Sequence, residues 1–408
     1  MKKLLNFEYG SIHATYWMFY GVICSFSSVF LLAKDYSNTD IGIILAVGNV
    51  LAVVIQPLIA DFADRTKKVT LVGIMQIMTI MMMVMTFGLL VFERKSWALT
   101  VIFVMLIGWL TVIQPLANTL NFRLEKSGIH INFGICRSLG SLAYAALVAV
   151  LGTIVEKLGV GSIPITGEIV LVLLIVSLYF TKRHYHKACG ISQAEENKKG
   201  AQDIEDALLD KEEIITLKDF VRDNKLFIIL NLGVVGLYFS NAVLNNFMMQ
   251  IVADVGGTSE DMGRIFSLMA ALEIPTMVFF DRLRKHFSNQ LMIKVAGIGF
   301  TVKIALCYFA QSVTMVFVAQ SLQLLSFALI LPAMVHFINE NMKKGEAVKG
   351  QAVFIMMTTV GTVFASLLGG VILDMSGAKM LCLVATIITG IGAAVILAVV
   401  DKVKKKKA

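Results

Sequence analysis

Residues 350–373 read GQAVFIMMTTVGTVFASLLGGVIL, and residues 378–400 read AKMLCLVATIITGIGAAVILAVV. Apart from Lys379, neither stretch holds an Asp, Glu, Lys or Arg. Each is long enough to cross a ~30 Å hydrocarbon core, which takes about 20 apolar residues. Each is apolar on every face. In lipid such a segment must be a helix, because no water is present to satisfy open backbone groups. The four residues between them, Asp374 to Gly377, leave room only for a tight reversal. The pair therefore reads as two antiparallel membrane helices.

Working outward, the same pattern recurs along the 408 residues. Twelve runs qualify: 12–33, 40–61, 69–91, 97–120, 133–156, 163–181, 226–252, 261–280, 290–310, 313–338, 350–373 and 378–400. The first follows Met1-Lys2-Lys3 without a cleavage site, so it is read as a retained helix. Pro57, Pro115, Pro275 and Pro332 lie inside runs, where neighbouring membrane helices accommodate kinks. Composition agrees. Hydrophobic residues make up 57% and charged residues 16%, against about 45–50% and about 25% in soluble domains. Mean hydropathy is +0.79. A soluble enzyme, a disordered chain and a secreted disulfide scaffold are excluded. Cys24, Cys136, Cys189, Cys307 and Cys382 show no ligand spacing, so neither a zinc site nor a disulfide framework is supported. No cofactor or metal is expected. The fold class is an all-α membrane protein of twelve transmembrane helices.

The net charge of +8 matters less than its placement. With both termini cytoplasmic, 27 Lys and Arg fall in inside segments and 5 outside, counting Lys379 at the outer end of the last run with the loops, which fixes the topology. Arg137, Arg264, Lys294 and Lys303 remain within or at the ends of runs. Basic residues confined to short gaps do not form a nucleic-acid face. Residues 182–225 form the one long polar segment, a cytoplasmic linker with a surface helix near 203–222. It divides the chain into six-helix bundles at 1–181 and 226–408. His184 and His186 in it have metal-binding chemistry, but a solvated basic stop after a membrane helix is the preferred reading of both.

The halves repeat. Pro57 and Pro275 are 218 apart, and Pro115 and Pro332 are 217 apart. Gly152-Thr-Ile-Val-Glu156-Lys-Leu-Gly159 is echoed by Gly370-Val-Ile-Leu-Asp374-Met-Ser-Gly377, and Asp64-Arg65 by Asp281-Arg282. A shared offset across several runs indicates duplication of a six-helix unit. An even number of spans keeps both copies in the same orientation, a parallel repeat whose interface carries the substrate site in transporters built this way.

Ionisable residues inside spans cost about 2.5–3.5 kcal/mol each at the centre and face a polar interior. Glu273 lies about 18 Å into the eighth run at 1.5 Å per residue. Lys303 is near the middle of the ninth, and Arg137 lies just inside the fifth. These three are the candidates for proton coupling; the plain alternative is a static ion pair between Glu273 and Lys303. Glu168, Arg264 and Lys294 lie near span ends and snorkel. His13 and His336 read as interfacial or satisfied histidines. Around the charges stand uncharged hydrogen-bonding and aromatic groups: Tyr16, Trp17, Tyr20, Trp109, Gln114, Asn118, Asn121, Tyr144, Asn241, Asn245, Asn246, Gln320 and Gln323. Amides bond hydroxyls in both directions, and aromatic rings offer flat faces to sugars or bases. Ordinary interhelical bonding is the alternative for each. The set favours a small, neutral polyhydroxyl solute over a strong anion.

These residues carry a family likeness. The chain resembles a major facilitator superfamily transporter, and within it the oligosaccharide:proton symporter (lactose permease-like) branch. Ala60-Asp61-Phe62-Ala63-Asp64-Arg65-Thr66-Lys67-Lys68 is similar to the superfamily's loop motif between spans two and three. By that likeness Asp64 and Arg65, with Asp281 and Arg282 in the repeat, are gating residues. Phe133-Gly134-Ile135-Cys136-Arg137-Ser138-Leu139-Gly140-Ser141 resembles the FGxxRxxG stretch of span five, which implies a sugar-binding Arg137 and a sugar-stacking Tyr144. Lys303 stands in place of a coupling arginine. Continuing without gaps, the family's span-ten histidine and glutamate fall on Gln323 and Ser326, and its span-four carboxylate on Thr119 beside Asn118. The proton relay therefore does not transfer intact, and Glu273 must carry most of any coupling.

The resemblance implies a plasma-membrane importer of a di- or oligosaccharide, driven by protons through alternating access and working as a monomer. Its contacts would be Arg137, Tyr144, Asn118, Trp109, Tyr20, Asn241, Asn245 and Gln323. Nucleoside uptake and drug or metabolite efflux are the alternatives within the fold. A non-transporting membrane sensor is the alternative outside it. An enzyme is disfavoured, since no run pair offers nucleophile–base spacing and no phosphate-binding Gly-rich loop precedes a helix.

Overall fold

The computed structural model describes residues 2–65, 69–126, 131–189 and 217–403, and among these the regular structure is entirely helical. The helices are α1 Lys2–Tyr20, α2 Ser27–Leu32, α3 Asn38–Arg65, α4 Leu71–Val91, α5 Trp97–Lys126, α6 Phe133–Leu158, α7 Ser162–Cys189, α8 Leu217–Asp223, α9 Lys225–Asn246, α10 Met248–Asp254, α11 Ser259–His286, α12 Asn289–Phe309, α13 Val313–Ser321, α14 Phe327–Asn341 and α15 Lys344–Val399. Among the described residues nine helices are long and apolar enough to cross a membrane, and ten when the bent α11 is included. That count takes α15 once, although Gly377 (φ 77°, ψ −178°) breaks its helical path. It also omits α1, which a π-helical turn at Gly21–Ser25 separates from α2. Each of the twelve apolar runs thus has its helix.

Local chemistry sets the boundaries. Thr70 and Ser288 cap α4 and α12 by accepting from the amides of Gly73 and Leu291. Asn132 caps α6 through Ile135 N–H, and Thr258 with Asp261 forms a capping box on α11. Each satisfies amide groups that a helix start leaves open. Pro57, Pro115, Pro275 and Pro332 all lie inside helices, and α11 bends just after Pro275.

The repeat is visible in these details. Helices α4 and α12 are both 21 residues long. Their starts, Leu71 and Asn289, lie 218 apart, as do their caps Thr70 and Ser288. Gly159 (φ 83°, ψ 173°) and Gly377, again 218 apart, adopt the same backbone conformation, which only glycine enters without strain.

Two boundaries differ from the sequence reading. Helix α7 continues to Cys189, so the segment expected as a linker begins as a helical extension over 182–189. The surface helix expected near 203–222 lies outside the described residues up to 216; Leu217–Asp223 is helical as α8.

The chain divides into two compact units, Met1–Tyr36 with Val47–Lys211, and Ser37–Ala46 with Glu212–Ala408. In the first, α1 packs along α6 and α7, and α4 packs against α5 and α7. In the second, α9 runs along α15, which also holds α12. The core there includes Phe220, Phe227, Phe280, Phe300 and Phe337. The second unit includes the first turns of α3, whose start is satisfied twice over. Ser37 and Asp40 form a local box, with Ser37 Oγ donating to Asp40 Oδ2 at 2.8 Å and accepting from Asp40 N–H at 3.1 Å. Asp374 accepts from Asn38 N–H (3.1 Å), Asn38 Nδ2 (2.9 Å), Thr39 N–H (2.7 Å) and Thr39 Oγ1 (2.6 Å).

Candidate functional site

The second unit gathers three predicted residues into one chain of contacts. Lys303 on α12 is fully buried. Its ammonium donates to Gln323 Oε1, and Gln323 Nε2 donates to Glu273 Oε1 on α11 at 2.8 Å. Gln323 therefore stands between the two charges. Its amide has one orientation that serves both, oxygen toward the ammonium and NH2 toward the carboxylate. The backbone delivers it there by a break. Between α13 and α14 the chain makes a 3-10 turn at Leu322–Leu325, followed by Ser326 at φ −111°, ψ −96°. Ser326, buried, donates to Leu322 C=O at 2.9 Å and so supports the break. An unpaired buried ammonium would cost many kcal/mol, and the bridge gives the Lys303 ammonium a hydrogen-bond acceptor in the interior.

Sequence reasoning overlooked Tyr238 of α9. It is ringed by Phe300, Phe327 and Phe354 at 6.2–6.4 Å between centroids. It lies in the electrostatic range of Glu273, and its hydroxyl has no hydrogen-bond partner among the described residues. A lone tyrosine in an otherwise apolar part of α9 was the available signal. On the other side of the bridge, Gln320 Nε2 donates to Cys307 Sγ at 3.2 Å, both buried.

The first unit gathers a different chemistry. The Arg137 guanidinium lies 4.2 Å above the centre of the Trp17 ring, and Nη1 donates to Ser141 Oγ at 3.0 Å. Trp17 touches Tyr16 (5.4 Å) and Tyr20 (5.2 Å). This approach depends on Gly140, where a Cβ would stand 2.6 Å from Trp17 Cδ1. One turn further along α6, the Tyr144 hydroxyl is 2.7 Å from Ser25 Oγ. Ser25 belongs to the π-helical turn, a device often found at functional sites. Tyr16, Trp17 and Tyr20 thus form an aromatic platform that carries the Arg137 cation, with Tyr144 held separately through Ser25.

The other predicted residues fall as follows. Trp109 and Asn118 are half-buried on α5, and Trp109 Nε1 has no partner among the described residues. Asn241 is buried on α9 with Oδ1 unpartnered among the same residues, and Asn245 is half-buried on the last turn. Asp281 is exposed, with Arg284 Nη1 at 3.9 Å, and Arg282 lies over the Phe279 ring at 5.2 Å. The side chains of Asp64 and Arg65 lie outside the described residues, as does that of His186. His184 is paired with Glu8 at 2.5 Å, which corrects its reading as a solvated stop. Among the described residues no cluster of His, Cys, Asp and Glu could hold a metal.

A bundle of apolar helices, broken at inward-facing polar residues and built from two repeats, defines a multi-pass membrane transporter. The family model described as the MFS_1-like family matches residues 9–407, and the chain belongs to that family. It is a secondary transporter of the major facilitator fold. Among solved structures, the nucleoside transporter NupG is similar at a TM-score of 0.75 and 14% identity, covering 99% of this chain and 100% of that one. A bacterial homologue of the human lysosomal transporter Spinster is similar at 0.69 and 14%, covering 100% and 99%. A POT family transporter crystallised with 5-aminolevulinic acid is similar at 0.67 and 12%, covering 99% and 96%. No curated protein sequence matches the chain.

Proposed function

We propose that this protein is a proton-coupled importer of a neutral, ring-shaped polyhydroxyl solute, foremost a di- or oligosaccharide. It works by alternating access between bundles 1–181 and 226–408, joined by linker 182–225. The observation that carries the coupling reading is the Lys303–Gln323–Glu273 bridge. Glu273 is half-buried and is the acidic member of a chain whose other charge is fully buried. Protonating Glu273 removes one side of the compensation, so the resting places of the proton and of Lys303 are tied together. The aromatic platform with Arg137 supports a ring-shaped solute: rings stack on the apolar faces, and the guanidinium and amides bond hydroxyls. Nucleoside uptake is the second reading. A flat base suits the same platform, and a nucleoside transporter shares the fold. The protein sits in the plasma membrane as a monomer with both termini cytoplasmic, in keeping with 27 inside against 5 outside Lys and Arg.

The test is external pH in a lightly buffered, de-energised suspension of expressing cells, pulsed with disaccharides, longer oligosaccharides and nucleosides. Alkalinisation with one class, lost in Glu273→Gln while solute exchange persists, is expected. Full accumulation against a gradient in Glu273→Gln would remove Glu273 from coupling. Competition by lipophilic cations and none by sugars or nucleosides would replace import with drug efflux.

A further inference from the structure

One titratable side chain of the first unit has no part in the sites above. His13 is 1% exposed, and neither ring nitrogen has a hydrogen-bond partner among the described residues. Its ring is met edge-on by Tyr9 at 4.8 Å and Phe133 at 5.9 Å. A neutral imidazole has one donor and one acceptor, and leaving a buried polar group unmatched costs about 1–3 kcal/mol. An apolar ring would fill the space without that cost.

Arg137 is the group that can answer it. Phe133 touches the His13 ring at the start of α6, and at Gly140, two turns on, a Cβ would meet His13 C=O at 3.1 Å and Trp17 at 2.6 Å. Arg137 lies between these two on the same helical face, four residues after one and three before the other. It is within electrostatic range of His13. Helical side chains lean toward the helix N-terminus, here the Phe133 end and so the level of His13. Arg137 runs the other way, to Ser141 and the Trp17 ring. His13 and Trp17 are four residues apart on α1, about 6 Å along its axis, within the swing of an arginine side chain. A ligand ring stacking on the Trp17 face that Arg137 covers must displace the guanidinium.

We propose that His13 is the second station of Arg137: a ligand ring that takes the Trp17 face turns the guanidinium toward the imidazole, whose unprotonated nitrogen accepts its hydrogen bond. His13 is a positioning residue, acting on the ligand through Arg137. An imidazolium has no acceptor lone pair and carries like charge, so the station closes in acid, once the imidazole is protonated. The other ionisable groups nearby are Tyr9 and Tyr16 on α1, Cys136 on α6, Glu125 on α5, which acts on Tyr9, and the Glu8–His184 pair reaching α7. Of these only His184 is also an imidazole, so it serves as the control. The ligand half of the proposal rests on the transport reading; the two stations do not.

The deciding experiment needs no ligand. In purified Trp97→Phe/Trp109→Phe protein Trp17 is the sole tryptophan, and its emission is followed from about pH 8 down into the carboxylate range, about pH 3–4. At the upper end the guanidinium distributes between both stations; in acid it is held on the indole. The emission is expected to titrate, to lose the titration in His13→Gln and His13→Phe, and to keep it in His184→Gln. A flat emission, or a titration that survives His13→Gln, overturns the proposal. In the full chain, uptake of radiolabelled lactose or uridine extends the test. The apparent KM is expected to rise in acid in the wild type and to stay flat in His13→Gln. In His13→Phe it rises about tenfold at every pH, with kcat retained. An unchanged KM in His13→Phe overturns the proposal. Absence of uptake of either solute counts against the transport reading, and the emission titration still decides the station.

Discussion

At the scale of single residues, the bridge through Gln323 makes a clear energetic prediction. Breaking a buried charge pair by removing one partner costs about 3–5 kcal/mol, whereas replacing both is close to neutral. Glu273→Gln leaves Lys303 buried without its counter-charge, while Glu273→Gln with Lys303→Met leaves none. Thermal unfolding in detergent should place the double variant nearer the wild type than Glu273→Gln alone; an additive loss would show that the two charges do not communicate. Gln323→Leu removes both amide contacts and should abolish coupled uptake even where the protein folds. Asp374 makes a pH prediction. Burial pushes its carboxyl up, but hydrogen bonds from Thr39 and Asn38 outweigh this and hold it below the usual carboxylate range. The stabilisation is therefore fully present above about pH 4, the unfolded value, and is lost as pH falls through the lower folded value. Asp374→Ala should cost about 1 kcal/mol near neutrality, as a lost helix cap does. The difference from the wild type in unfolding temperature should shrink in stronger acid.

At the scale of elements, the breaks matter more than the helices. Gly159 and Gly377 share a backbone conformation that non-glycine residues enter at a cost of about 1–3 kcal/mol. No atom lies within 4 Å of a Cβ added at either place, so any loss on substitution comes from the backbone alone. Gly159→Ala and Gly377→Ala should each lower unfolding stability by that amount. Equal, additive losses would mark the two corners as equivalent parts of the repeat, and no loss at Gly377 would show that this corner tolerates a Cβ without strain. The twelve runs and the 218-residue offset were legible because apolar length and proline placement are local properties of the chain. The break at Leu322–Leu325 was not legible: its sequence, LQLL, is ordinary helix-forming material, and Ser326 and the packing around it decide the geometry. The extension of α7 to Cys189 was hidden for the opposite reason. Its polar residues look like loop, and contacts such as His184 with Glu8 hold them.

At the scale of the whole molecule, the charge asymmetry predicts that a reporter fused after Ala408 reads cytoplasmic, as does one placed in the linker. An outside reading for either would invert the topology. The coupling prediction belongs here too, since solute-induced alkalinisation is a property of the full transport cycle and of no single residue.

What the sequence determined by itself was the membrane as solvent, the number of spans, the duplication and the short roster of costly polar residues. Each follows from free energies that act on one segment at a time: transfer of apolar length into lipid, the cost of an ion in hydrocarbon, the fixed φ of proline. Which of those polar residues meet was decided only by tertiary structure. Glu273 and Lys303 were separable candidates until Gln323 was found between them. Arg137 was a candidate by resemblance alone, and only the tertiary structure placed its guanidinium on Trp17, one turn from an unanswered histidine. Contacts between helices depend on rotation about each axis and on local breaks, and a helix that is apolar on every side carries no periodicity to fix that rotation.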